Sequence, residues 1–334
     1  MNSSHHLVKP IVFRNLTLEN NIFQAPLAGY SSWPFRLLTW TEGRPGLLAT
    51  EMISARAVQL GAPKQDVYLE RVPNEGPVQF QLWGCDPEAI GFAARVADEH
   101  GADCIDLNCG CPVRKVRAAG AGSKLMENPP LIGKLIQFMR KNTEKPISIK
   151  IRVGTAFNHF NAAEIVKIAE SEGVDFITVH GRTAGESYGT PVRYTEIMKA
   201  VQATSIPVIG NGDVYDGASA RKMFEETGCA GVMVGRACMG APWVFARIKS
   251  ELQNNAYTPP TLEEIGKLLL SHHDMLVSLR GEECAIRHAR KLGAFYSKGI
   301  SGAKEFRSGL NGLTSREQLI HLINKHFALM GKVM

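Results

Sequence analysis

The chain has 334 residues, 44% of them hydrophobic and 21% charged, with a net charge of +6. These proportions fit a soluble globular protein with a sizeable core, and the length suits one large domain or one large plus one small. No apolar run reaches the roughly 18 residues that span a membrane, and the start, MNSSHHLVKP, has no signal-peptide stretch, so a cytoplasmic protein is expected. The cysteines, Cys85, Cys104, Cys109, Cys111, Cys229, Cys238 and Cys284, are odd in number. In a chain this long they argue against a disulfide framework, and with no CxxC pair they argue against a cysteine zinc site.

Eight short β-branched or apolar runs follow in chain order. They are IFQAPLAG from Ile22, GLLATEMI from Gly46, PVQFQLWG from Pro77 and CIDLNCG from Cys104, then PISIKIRVG from Pro146, FITVHGR from Phe176, PVIGNGD from Pro207 and GVMVGRA from Gly231. Their spacing leaves room for a helix between each pair. DPEAIGFAARVADEHG reads as such a helix, with Asp86 as N-cap, Pro87 first inside and Gly101 as the stop. Ile90, Ala93 and Ala97 recur at helical spacing, as do Leu131, Leu135 and Met139 in the next one. Eight such units predict an α/β protein of the (β/α)8 TIM-barrel class. An open nucleotide-binding sheet would carry GxGxxG after its first strand, where this chain has APLAGYSS.

From about Thr258 the strand pattern stops and helical segments take over, PTLEEIGKLLLSHHDMLVSLR, CAIRHARKLGAFYSKG and REQLIHLINKHFALM. The polar linker NNAYTPP divides the chain into residues 1–254 and a helical domain, 255–334. Eleven Lys and Arg stand against seven Asp and Glu in that tail, which suits either an anionic partner or a solvated surface.

Strand alternation assigns faces. In ISIKIRV, Ile147, Ile149, Ile151 and Val153 share one face and should meet the helices, while Ser148, Lys150 and Arg152 share the other. By the same parity Gln79 and Gln81, Asp106 and Asn108, and His180 point inward. A packed barrel gains nothing from burying such groups. One His or Lys is equally explained as a satisfied core residue, but Gln81, Asn108, Lys150 and His180 on one rim favour function, because the active site of this fold lies there. Asn211, Gly212 and Asp213 after the seventh strand, and Gly235 and Arg236 after the eighth, stand where backbone N–H groups bind phosphate.

The ordered set APLAGYSSWPFR, DLNCGCPVRKV, KIRVG, VHGRT, NGD and VMVGRA…PW resembles the tRNA-dihydrouridine synthases across the whole barrel and more loosely in the tail. FRNLTLENNIFQAPLAG and EMISA are most similar to the bacterial B-type. The resemblance implies an FMN enzyme that uses NADPH to reduce uridine in tRNA. It places flavin contacts at Pro26, Leu27, Ala28, Gln81, Lys150 and His180, the flavin phosphate at Asn211, Gly212, Asp213, Gly235 and Arg236, and the catalytic cysteine at Cys111. Uracil C5–C6 is electron-poor by conjugation to the C4 carbonyl. A hydride from flavin N5 to C6 leaves an enolate that needs a proton at C5. A thiol of ordinary pKa, roughly 8.5, can donate it. Substrate contacts are expected at Asn108, which positions flavin or target base, at Arg114 and Lys115, pointing away from the thiol toward RNA phosphate, and at Arg182 beside His180, meeting RNA or flavin. In the tail they are expected at Arg287, Arg290, Lys291, Lys298 and Arg307. The target base must leave its stack to lie against the flavin. Cys109 falls with Ile105 and Leu107, toward packing. Leu27 stands where the family has Met, and Arg117 where it has Asn. No metal and no obligatory protein partner is expected.

Three rival readings remain at this level. Another FMN barrel reducing a small pyrimidine or enone would need no basic tail. A colourless phosphate-binding barrel would use Lys150 as a Schiff-base nucleophile. A non-catalytic tRNA-binding protein would keep its activity without Cys111.

Overall fold

A computed structural model describes residues 7–62 and 65–328. Residues 1–6, which begin the stretch read above for a signal peptide, and the end of REQLIHLINKHFALM lie outside the described residues. The eight expected strands are all present and parallel: β1 (Ile22–Gln24), β2 (Leu48–Ala49), β3 (Val78–Trp83), β4 (Cys104–Asn108), β5 (Ile147–Arg152), β6 (Phe176–His180), β7 (Val208–Asn211) and β8 (Gly231–Val234). The ring closes between β1 and β2 through a bridge of Phe23 with Leu47 and the bonds Gly46 N–H to Ile22 O, 2.8 Å, and Gln24 N–H to Leu47 O, 2.9 Å. Among the described residues no helix is long and apolar enough to cross a membrane.

The connecting helices follow their sequence signals. Pro87–Glu99 is capped by Asp86, which accepts from Glu88 N–H, and the chain reverses at Gly101 with φ +81°. Its Ile90, Ala93 and Ala97 are fully buried, as are Leu135 and Met139 of Pro129–Arg140, with Leu131 half-buried at that helix's start. They pack against the outward strand residues, Ile147, Ile149, Ile151 and Val153 among them, in one continuous cluster. Hydrophobic transfer of about 25 cal/mol per Å² across this layer drives closure of the barrel.

Two hairpins were not anticipated. Ile11–Phe13 pairs with Leu16–Leu18 beneath the barrel, where Phe13 stacks on Phe176 at 4.1 Å and meets Phe23 edge-on at 6.1 Å. With Cys104, Ile209 and Met233 they form an apolar floor. A second hairpin, Gly154–Ala156 with His159–Phe160, follows β5.

The last quarter consists of the helices Leu262–Arg280, Glu282–Tyr296, Ala303–Leu310 and Arg316–Ile323, with a short π-helical turn Asn324–Ala328. Thr261 and Glu264 form a capping box at its start. Leu269, Leu276, Leu292, Phe306 and Leu319 build an apolar cluster separate from that of the barrel. The tail seats on the loop after β1: Tyr30 meets Phe295 edge-on at 5.6 Å, and Lys291 Nζ lies 3.6 Å from the Tyr30 ring centre. Gly240 is required at this contact, because a Cβ there would stand 2.5 Å from the Phe295 backbone.

Candidate active site

Parallel register brings the inward polar residues together. Gln81 lies beside Asp106, Asn108 beside Lys150, and His180 between Arg152 and Asn211. Lys150 is half-buried, and its ammonium donates to Asn211 Oδ1 at 2.9 Å. Burial, then the neighbouring Arg152, pulls its pKa down to about 8, with Asp106 and Cys111 opposing. His180 is 7% exposed. Burial, followed by Lys150, Arg152, Arg182 and Arg236, holds its pKa well below the usual imidazole range, so the ring is neutral at neutral pH.

Cys111 is half-buried at the tip of the loop leaving β4. Burial pushes its thiol pKa up, and the Val113 N–H, Arg152 and Lys150 only partly offset that. The resident species is the thiol. Arg114 and Lys115 are exposed at the head of a short helix and take no part in this balance. Cys109 is buried in the strand–helix cluster, as its parity predicted.

The loop is pegged from several sides. Asn108 Oδ1 accepts the N–H groups of Gly110 at 3.2 Å and Cys111 at 2.9 Å. Arg152, itself buried, donates to Gly110 O at 2.7 Å and to Thr183 O at 2.8 Å, tying the β4 loop to the β6 loop. Gly122, with φ +61°, closes against the loop, and a Cβ there would stand 2.6 Å from Cys111 O.

The ends of β7 and β8 form a second centre. Gly212 has φ +132°, and a side chain there would meet Val192 at 2.9 Å. Among the described residues no main-chain carbonyl accepts from the N–H of Gly212, Asp213, Gly235 or Arg236. Arg236 reaches over this cradle, pairing with Asp213 at 2.9 Å and lying 4.2 Å from the Tyr188 ring centre. Arg182 departs from expectation. It is 1% exposed, donates to Thr190 O at 2.6 Å and forks onto both oxygens of Asp213. Its side chain is fully engaged inside the protein, so it holds Asp213 instead of reaching RNA.

The donor set fits FMN. Four free N–H groups and Arg236 suit a phosphate. A half-buried ammonium with one acceptor and a neutral imidazole suit the carbonyl-rich edge of an isoalloxazine. Pro26, Leu27 and Ala28 follow β1 on its loop, which is turned by Ser31 Oγ accepting from Leu27 N–H at 2.9 Å. Of the tail cations, Arg287 pairs with Glu283, Arg290 donates to Leu313 O at 2.6 Å, and Arg307 is anchored on Ser297 at 3.1 Å. Lys298 is exposed. Lys291 lies above Tyr30 on the loop after β1.

Sequence reading gave no role to Ser148, Asp106 or Tyr188. The first two share the inward parity of Asn108 and Lys150, so alternation marks them. Tyr188 sits in an irregular loop with no periodic signal.

The fold and rim define a (β/α)8 barrel with a polar, cationic mouth. The old yellow enzyme homologue from Zymomonas mobilis has the same fold, with TM-score 0.56 at 14% identity over 78% of this chain and 96% of that one. The chain belongs to the dihydrouridine synthase family, whose sequence model matches residues 23–330. It is 33% identical to tRNA-dihydrouridine synthase B of Pectobacterium carotovorum, over 93% of this chain and 97% of that protein. It is 34% identical to tRNA-dihydrouridine synthase B of Pseudomonas aeruginosa, over 93% of this chain and 94% of that protein.

Proposed function

We propose that this protein reduces uridines of tRNA to 5,6-dihydrouridine, with FMN as resident cofactor and NADPH as reductant. The observation that carries the reading is a protonated thiol, Cys111, held on a pegged loop at the same rim as the Lys150–His180 pocket and the β7–β8 cradle. The bound flavin would supply the hydride to uracil C6. Pro26, Leu27, Ala28, Gln81, Lys150 and His180 would border its ring, and Asn211, Gly212, Asp213, Gly235 and Arg236 its phosphate. Cys111 would deliver its proton to C5 and recover one from solvent. Asn108, Arg114 and Lys115 would meet the substrate, the last two through phosphate contacts.

Residues 1–254 would then be the catalytic domain. Residues 255–334 would be the tRNA-binding domain, holding the tRNA body through Arg287, Arg290, Lys291 and Lys298. A tRNA substrate would be met in the cytoplasm.

The test is the visible spectrum of the purified protein, followed by NADPH without air and then tRNA. A yellow chromophore that bleaches and is reoxidised by tRNA, with dihydrouridine found in the product, supports the reading. A colourless protein that FMN does not reconstitute refutes it.

A further inference from the structure

Beneath Cys111 runs a chain of hydrogen bonds of which the proposed chemistry uses Gln81 and Asn108 but gives Asp106 and Ser148 no part. Ser148 Oγ donates to Asp106 Oδ1 at 2.6 Å, and Gln81 Nε2 donates to Asp106 Oδ2 at 2.6 Å. Asn108 Nδ2 donates to Gln81 Oε1 at 2.7 Å, and Asn108 Oδ1 accepts from Cys111 N–H at 2.9 Å. Asp106, Gln81 and Ser148 are at most 1% exposed, and Asn108 is 6% exposed.

The two ends of this chain have fixed polarity. An ionised carboxylate only accepts, and a backbone N–H only donates. The amides between them could point either way, but one direction alone satisfies every member. Gln81 must turn its NH2 to Asp106, so its oxygen faces Asn108. Asn108 must then turn its NH2 to Gln81, leaving its oxygen for the loop. We propose that Asp106 is a positioning residue whose carboxylate sets the direction of the Gln81 and Asn108 amides and thereby locks the Cys111 loop in place. It acts from the barrel interior, where its side chain bonds Ser148 and Gln81 and reaches the Cys111 loop only through the two amides.

A buried carboxylate is costly to keep ionised, and Ser148 with Gln81 answers it only in part: burial raises the Asp106 pKa to about 6. Packing alone would be served better by an apolar residue. The direction of the relay is a reason to retain the charge.

The test reverses the polarity. Asn108→Asp puts an acceptor at both ends of Gln81, so the relay cannot be satisfied in either direction. Adding Asp106→Asn provides a donor at the lower end. Gln81 can then reverse, and the carboxylate now at position 108 still accepts from Cys111 N–H with the buried charge conserved. The readout is the alkylation rate of each thiol by iodoacetamide, resolved by mass spectrometry on the full-length protein as purified. Asn108→Asp should raise the Cys111 rate about tenfold, and the double variant should return it to within about threefold of the parent, a coupling of the size seen between touching groups. Asp106→Asn alone should raise it by about two- to threefold, since one of its two amide orientations keeps the original direction. Cys104 and Cys109, both fully buried, should stay unreactive throughout.

An Asn108→Asp protein that protects Cys111 like the parent, or a double variant that fails to restore protection, overturns the proposal. So do Cys104 and Cys109 reacting in step with Cys111, which would mark Asp106 as a fold residue only. If Asn108→Asp does not fold, the outcome rests on Asp106→Asn, where unchanged Cys111 reactivity overturns the proposal. The inference takes its meaning from Cys111 acting as the acid, but neither RNA nor reductant is added in the assay. A chain that reduces tRNA uridine without this coupling would refute the relay and leave the function standing.

Discussion

Asp106→Asn should make the protein more stable at neutral pH. The carboxyl has a folded-state pKa of about 6 against an ordinary value of 3.8, so the folded chain binds the proton more tightly than the unfolded one. Between those two values stability falls as pH rises, and above about 6 the whole penalty is present. The shift of roughly two units corresponds to about 3 kcal/mol. Asparagine removes it, because its oxygen can accept from Gln81 while its NH2 donates to a rotated Ser148 hydroxyl. For a chain of this size that gain raises Tm by about 5 °C at pH 7. The assay is thermal unfolding of parent and variant side by side from pH 4 to pH 7. Other titrating groups are common to both proteins, so the difference isolates Asp106. It should be greatest at pH 7 and shrink toward zero near pH 4. A variant less stable than the parent at pH 7, or a difference that does not change with pH, would refute the reasoning. A stabilised variant with a looser Cys111 loop would be a case of stability given up for an ordered site.

Further outcomes follow from the same geometry. Cys111→Ala should keep NADPH-driven flavin reduction while dihydrouridine formation in tRNA drops by about 10²- to 10⁴-fold, read in single-turnover assays. Arg182→Leu removes one of the two guanidinium partners of Asp213, which is a third exposed and keeps Arg236, so it should cost about 1–3 kcal/mol, with FMN lost on gel filtration if the arginine supports the phosphate cradle. Gly122→Ala, which drives a Cβ onto Cys111 O and strains a positive φ, should lower both Tm and kcat. Replacing Arg114 and Lys115 together by Ser should weaken tRNA binding uniformly and lower the salt slope by about two, leaving the flavin spectrum unchanged. An unchanged affinity would place those cations outside the RNA footprint.

Much of the barrel is legible in one dimension because its rules are local. β-Branched runs with period two make strands whatever their neighbours, and Asp86, Pro87 and Gly101 bound a helix through their own backbone preferences. Parity along a strand needs only its covalent geometry. It therefore separates Ile147, Ile149 and Ile151 from Ser148, Lys150 and Arg152, and sends Cys109 into the packing. The ordered motifs carried the family in the same way.

What tertiary structure alone decided concerns contacts between distant segments. The floor hairpin Ile11–Phe13 with Leu16–Leu18 is too short to announce itself and is stable only against Phe23 and Phe176. Spacing alone gives Arg182 to RNA or flavin, because it cannot show that Asp213, from the next strand's loop, captures the guanidinium. Nor can it show that Tyr188 lies beside Arg236, or that Lys291 comes to rest over Tyr30 on the loop after β1. The relay under Cys111 is the clearest case. Alternation puts Gln81, Asp106, Asn108 and Ser148 inside, but only the parallel register of β3, β4 and β5 sets them at hydrogen-bonding distance, and only the acceptor-only carboxylate among them gives the network a direction.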